Sequence, residues 1–175
     1  MPSLLSVPKD CFTNDEALLS VSLPEVLALN TRSFMYTSAL VRVTLPKCAL
    51  LNDTYNFQTC AALKEVRLPV NTSSIGSAFA GTAALETLDI GLVTSIGTNF
   101  SYSYFGSLKY LIMRNTSQVA TPSSTTLFYS GSPLYAGNGL ILVPASLVSS
   151  YKADSHWSSY ASMIESIESH PEICG

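Results

Sequence analysis

The sequence predicts a β-rich α/β solenoid with one parallel sheet, coiling once every 22 to 23 residues and closed by a short helical C-terminal cap. Three observations predict it. Leu18, Leu40, Leu63, Leu85 and Leu108 follow one another at intervals of 22, 23, 22 and 23 residues. Around them one frame returns, as "ALLSVSLPE", "ALVRVTLPK" and "ALKEVRLPV", then in weaker form as "ALETLDIGL" and "SLKYLIMRN". Six residues before each of the first four leucines stands a phenylalanine: Phe12, Phe34, Phe57 and Phe79.

Each element of the unit has a physical reading. In the strand part, Val66 and Leu68 alternate with Glu65 and Arg67, the period of two that marks a strand with one buried face. Equivalent strands are expected around Val21, Val43, Leu88 and Leu111. The phenylalanine belongs to the opposite wall, filling the interior across from the strand. One unit cannot close a core, but stacked copies join their apolar faces and pair their strands. Cys60 falls in a buried slot, where a free cysteine acts as a small hydrophobe; sequence leaves open whether Cys48 joins another thiol. Ile75–Gly76 and Ile96–Gly97 precede Phe79 and Phe100, and the glycine is expected at a tight corner where a side chain would clash. In the fifth unit Phe100 precedes Leu108 by eight residues, which implies a two-residue insertion.

Residues 114–139 are rich in hydroxyl, glycine and proline residues and read as loop and turn. A last strand is expected at 140–143. Pro144 suits the first turn of a helix, with Leu147, Val148 and Tyr151 on one side of it. Trp157, Tyr160, Ala161, Ile164 and Ile167 recur at helical intervals. The expected division is therefore a solenoid at 1–143 and a helical cap at 144–175, with Trp157 buried against the last coil.

The combination of Ile75, Gly76, Ala78, Phe79, Leu85 and Leu88 with Phe57, Cys60, Leu63, Val66, Leu68 and Pro69 resembles the BspA-type leucine-rich repeat family. The likeness covers roughly residues 5–115; it departs by insertion over 92–115 and has Asn30 where the corner glycine stands elsewhere. A second likeness rests on Val143, Pro144, Ala145, Tyr151, Lys152, Trp157, Tyr160 and Ile164. That segment resembles one that follows such repeats in cell-surface and prophage tail-associated proteins of gut bacteria, and the resemblance implies that Gly175 is a natural C-terminus. At the other end Val7, Phe12 and Leu18 already form a repeat, so either an upstream domain or a self-capping first turn is expected.

Composition limits the function. With 47% hydrophobic residues, 175 residues can bury a continuous core. Charged residues are only 12% and the net charge is -3, which leaves no basic field for a phosphate backbone, so nucleic acid is not an expected partner. Ser and Thr supply about a quarter of the chain, a surface made polar by hydroxyls and suited to work outside a cell. No apolar run reaches the length that crosses a bilayer, and the opening "MPSLLSVPKD" lacks the form of a secretion signal.

Chemistry is sparse. Cys11, Cys48, Cys60 and Cys174 show neither a C-x-x-C pair nor a histidine at metal spacing. His156 and His170 both lie in the cap, and "GNG" at 137–139 reads as a turn. Glu65, Glu86 and Asp89 come close across neighbouring coils, but the better account is a ladder in which Arg42 lies beside Glu65 and Arg67 beside Asp89. Sequons occur at Asn52, Asn71, Asn99 and Asn115 and matter only in a eukaryotic host.

These readings point to a non-enzymatic module without cofactor or metal, binding a protein or surface glycan, displayed on a bacterial surface or a phage virion. The alternative is a structural spacer or assembly subunit of a phage tail or surface fibre. The candidate binding face is the outward side of the sheet. Ser20, Arg42, Glu65, Thr87 and Tyr110 form one column, and Ser22, Thr44, Arg67, Asp89 and Ile112 the next. Tyr110 and Ile112 are the anchor candidates, unless the 114–139 loop covers them.

Overall fold

Short strands with a buried middle residue recur once per coil, because β-branched and leucine side chains at alternate positions fill the pleat facing the interior. The computed structural model describes residues 4–51, 55–97, 100, 105–124 and 126–175. Twelve strands run through them: β1 (Ser6–Val7), β2 (Ser20–Ser22), β3 (Ala28–Leu29), β4 (Arg42–Thr44), β5 (Leu50–Leu51), β6 (Glu65–Arg67), β7 (Thr87–Asp89), β8 (Ser95–Ile96), β9 (Tyr110–Ile112), β10 (Thr121–Pro122), β11 (Leu140–Val143) and β12 (Ile164–Ser166). One seven-stranded sheet has the order β12-β11-β9-β7-β6-β4-β2, and every pair in it is parallel. Val21, Val43, Val66, Leu88 and Leu111 lie in register across it, as expected. A second wall carries two smaller parallel ladders, β1-β3-β5 and β10-β8, which the strand pattern did not announce.

The interior is filled from the third side by the phenylalanines. Phe12, Phe34, Phe57 and Phe79 stack with centroid separations of 5.0, 5.5 and 5.3 Å and nearly coplanar rings. Their backbones are laddered too: the N–H groups of Phe12, Phe34 and Phe57 donate to the carbonyls of Ser33, Asn56 and Ala78 in the next coil. At the expected insertion the stack changes. Phe100 and Phe105 are both buried and their rings are tilted by 53°, so two aromatics share the space of one.

The expected corner at Gly76 is not a close approach, since a Cβ there would meet nothing within 4 Å. Left-handed backbone falls instead two residues after each stacked phenylalanine, at Asn14, Tyr36, Thr59 and Gly81, with φ of 62°, 59°, 59° and 77°. Three of the four positions carry no glycine, which hid the corner from the sequence. Gly91 is crowded by the neighbouring coil. A Cβ on it would lie 2.3 Å from the Leu68 carbonyl oxygen.

The C-terminal part mixes helix and strand. Helix α1 (Val148–Ala153) follows a short 3₁₀ turn at Ala145–Leu147, and a second 3₁₀ stretch spans Ser158–Met163. Ile164, read as a helical position, lies on β12, which pairs with β11 and extends the sheet by one strand beyond the strand expected to be last. Trp157 and Tyr151 are fully buried and meet edge to face at 5.4 Å. Their polar tips tie down the preceding loop: the indole N–H donates to the Ala120 carbonyl at 2.8 Å, and the Ala120 N–H donates to the Tyr151 hydroxyl at 2.9 Å. Tyr160 does the same for Leu127 and packs edge-on against Phe128.

Candidate binding face

The parallel register carries the outward residues into two continuous columns. Ser20, Arg42, Glu65, Thr87 and Tyr110 are cross-strand neighbours, and so are Ser22, Thr44, Arg67, Asp89 and Ile112. Their surroundings differ along the stack. Ser20, Ser22 and Arg42 are exposed, while Thr44, Glu65, Arg67, Thr87 and Tyr110 are partly exposed. Asp89 and Ile112 are fully buried, so neither offers itself to a partner as the structure stands.

Charge on this face is organised around Glu65. It meets Arg42 at 2.6 Å across the strands and Arg67 at 2.5 Å along its own strand. Partial burial works against the carboxylate, but the two guanidiniums outweigh it and hold its pKa below the ordinary value. The expected pairing of Arg67 with Asp89 does not form, although the two residues are in register. Asp89 instead accepts from Arg114 at 2.8 Å and from the Gly91 N–H at 3.0 Å. Arg67 is taken up by Glu65 and by the Ile173 carbonyl, which leaves Asp89 to Arg114 in the turn after β9.

Ile112 is covered, but not by the 114–139 loop. A separate apolar cluster on this side of the sheet joins Ile112, Leu142 and Cys174, with Leu140, Ile167 and Ile173 packed around it. Helix α2 (Pro171–Cys174) brings the last residues across the face. Arg67 donates to the Ile173 carbonyl at 2.9 Å and Arg114 to the Cys174 carbonyl at 2.7 Å. Ile112 is therefore not the exposed aliphatic that the strand pattern leads one to expect, because the chain buries it under residues 167–174. Sequence reasoning missed Arg114, Ile167, Ile173 and Cys174. The apolar residues flanking Pro171 in an otherwise polar tail were the only signal.

The remaining candidates fall into structural roles. Glu86 faces Lys109 at 3.6 Å, so each of the three carboxylates considered for glycoside chemistry sits opposite a cation. All four cysteines are free. Cys60 is fully buried with its thiol donating to the Phe34 carbonyl, and burial pushes its pKa up to about 12, far from a nucleophile. His156 lies beside Asp154, and His170 bridges Glu165 at 2.6 Å and Glu172 at 3.3 Å. Among the described residues no group of three or more acids, histidines or cysteines is placed to hold a metal, and no helix is long and apolar enough to cross a membrane. Asn71 is buried with its amide donating to the Ser73 and Ile90 carbonyls, so it works as a corner and not as a glycan acceptor. Asn115 is held in the same way to Leu92, while Asn52 and Asn99 lie outside the described residues.

Comparison with known proteins gives one result that matters. Neither the search of curated proteins nor that of solved structures found a match. A scan against protein-family models matches residues 1–121 to the BspA type leucine rich repeat region, in six copies. Such repeats suggest a protein-binding or scaffolding module. With its repeat period, phenylalanine stack and parallel sheet, the chain belongs to the BspA-type leucine-rich repeat family.

Proposed function

We propose that the chain is a non-enzymatic module that binds a protein or a surface glycan through the outer sheet face, displayed on a bacterial surface or a phage virion. The observation that carries this reading is the in-register, partly exposed patch of Arg42, Thr44, Glu65 and Thr87, bordered by Tyr110. Rigid parallel strands fix these groups relative to one another, so a partner meets them with little ordering to do. Display at a surface is supported by the hydroxyl-rich composition.

Assembly into a fibre is the second reading. The observation favouring it is the position of β2 at the end of the seven-stranded order, an edge on which another chain can pair. One experiment separates the two. The immobilised full chain is screened against bacterial envelope fractions and glycan arrays, beside an Arg42→Glu, Thr87→Lys variant of unchanged circular dichroism. Capture that the variant loses supports the binding face. Capture that the variant retains, with filaments of the intact chain in negative-stain micrographs, supports the spacer.

A further inference from the structure

The segment lying over the outer face is itself informative about what that face accepts. Ile167, Ile173 and Cys174 cover Ile112 and Leu142, which point away from the main core and would be wet without them. The two arginines take main-chain carbonyls at the end of α2, a contact that does not depend on the side chains of the segment. The fit is also incomplete. Arg67 Nη1 is buried there without a hydrogen-bond partner, a donor whose burial opposes the closed arrangement. A carboxylate set in place of the Ile173 carbonyl would engage both terminal nitrogens of that guanidinium and form the stronger, charge-assisted pair. Beside the tail a groove of about 310 Å³ runs on past Thr44, Pro46, Arg67, Pro69, Asp89 and Arg114, giving an incoming segment room to continue along the stack.

We propose that the area bounded by Arg67, Arg114, Ile112 and Leu142 is a peptide-docking site that residues 167–175 occupy in cis, and that its partner is an acidic protein segment with aliphatic anchors. The inference rests on reading the outer face as a protein-binding surface, and adds where the partner lies and what it displaces. The tail's own chemistry describes the ligand: isoleucines at 167 and 173 interspersed with Glu168 and Glu172. A partner that binds the open face shifts the population toward a detached tail. Arg67 and Arg114 then turn from the tail's carbonyls to the partner's carboxylates.

The test uses a fluorescent peptide of residues 165–175 with Cys174→Ser, titrated into the intact chain and into a full-length Ile173→Asp variant whose own tail is loosened. The expected result is binding at least about tenfold tighter to the variant than to the intact chain, and loss of about tenfold when Arg67→Ala is added. A folded Ile173→Asp protein that takes no peptide overturns the site. Hydrogen exchange of the intact chain gives an answer that needs no variant. Amides of 167–175 exchanging at least about tenfold faster than those of β11 support a displaceable tail, whereas equal protection makes the tail a fixed part of the fold and overturns it. Should the peptide fail while envelope capture by Arg42 and Thr87 persists, this inference falls and the wider face remains.

Discussion

Arg114 reaches back across one coil to Asp89, displacing Arg67 from the partner that strand register assigns to it. The pair is buried on the acidic side, where water cannot replace a lost cation. Arg114→Ala should therefore lower stability by about 3–5 kcal/mol in urea unfolding. Arg42→Ala removes a partner of Glu65 on the exposed part of the face and should change stability by no more than about 1 kcal/mol. Adding Asp89→Asn to Arg114→Ala should recover part of the loss, since the orphaned charge is gone. Equal effects of the two arginine substitutions would contradict the assignment.

The left-handed corners give a paired prediction of opposite sign. Thr59 is exposed and held at φ 59°, so Thr59→Gly should raise stability by about 0.5–1 kcal/mol through relief of strain. Gly81→Ala, at the equivalent position with φ 77°, should lower it by about 1 kcal/mol. Melting temperatures that move the same way in both variants would show that something other than the corner conformation sets these positions.

Trp157 closes the last coil and satisfies the Ala120 carbonyl. Trp157→Phe keeps the packing of a ring but leaves that carbonyl without its donor, for a loss of about 1–3 kcal/mol. Trp157→Ala also opens a cavity and should cost about 3–5 kcal/mol. Loss of near-ultraviolet dichroism from Tyr151 and Tyr160 should accompany the second and not the first.

Tyr110 borders the open patch and is partly exposed. Tyr110→Lys should abolish capture of the partner while shifting stability by no more than about 0.5 kcal/mol, because an apolar anchor is lost where a charge must be desolvated. Retained capture by a stable variant would remove Tyr110 from the binding face.

His170 holds the tail through Glu165 and Glu172. The hydrogen bond to Glu165 is the main cause that raises its pKa above 6.5; loss of water around the ring works the other way, and Glu172 adds to the rise. Because the folded value lies above the unfolded one, the histidinium stabilises the folded tail fully below pH 6.5. That contribution disappears as pH rises through the folded pKa. Hydrogen exchange of residues 167–175 should accordingly be faster, after correction for intrinsic rates, above the folded pKa of His170 than below pH 6.5, and His170→Gln should remove the difference. A profile unchanged by His170→Gln would assign the pH response to another group.

The period made the stack legible: spacing alone placed the five sheet positions from Val21 to Leu111 and the four phenylalanines that pack across from them. It could not show where long side chains reach, and so gave Asp89 to Arg67 when Arg114 takes it. Left-handed corners escaped because Tyr36 and Thr59 occupy positions where only glycine would have signalled them. The tail escaped for another reason. Ile164 is part of a helical spacing on paper, yet the free edge of β11 offers its segment a ladder, and pairing there prevails over local periodicity. Ile112 looked like an anchor because nothing repeats after residue 143 to announce what would lie over it.

The contact between Arg67 and the Ile173 carbonyl joins residues 106 positions apart, and it changes how the stack should come apart. A plain repeat array unzips one coil at a time from either end. Here the segment after β12 is tied back to β6, so the coils between Arg67 and β12 form a closed loop that has to open together. The coils built on β2 and β4 lie outside that loop. Pulled or heated, the coils between Arg67 and β12 should be lost in one cooperative step, separately from those built on β2 and β4.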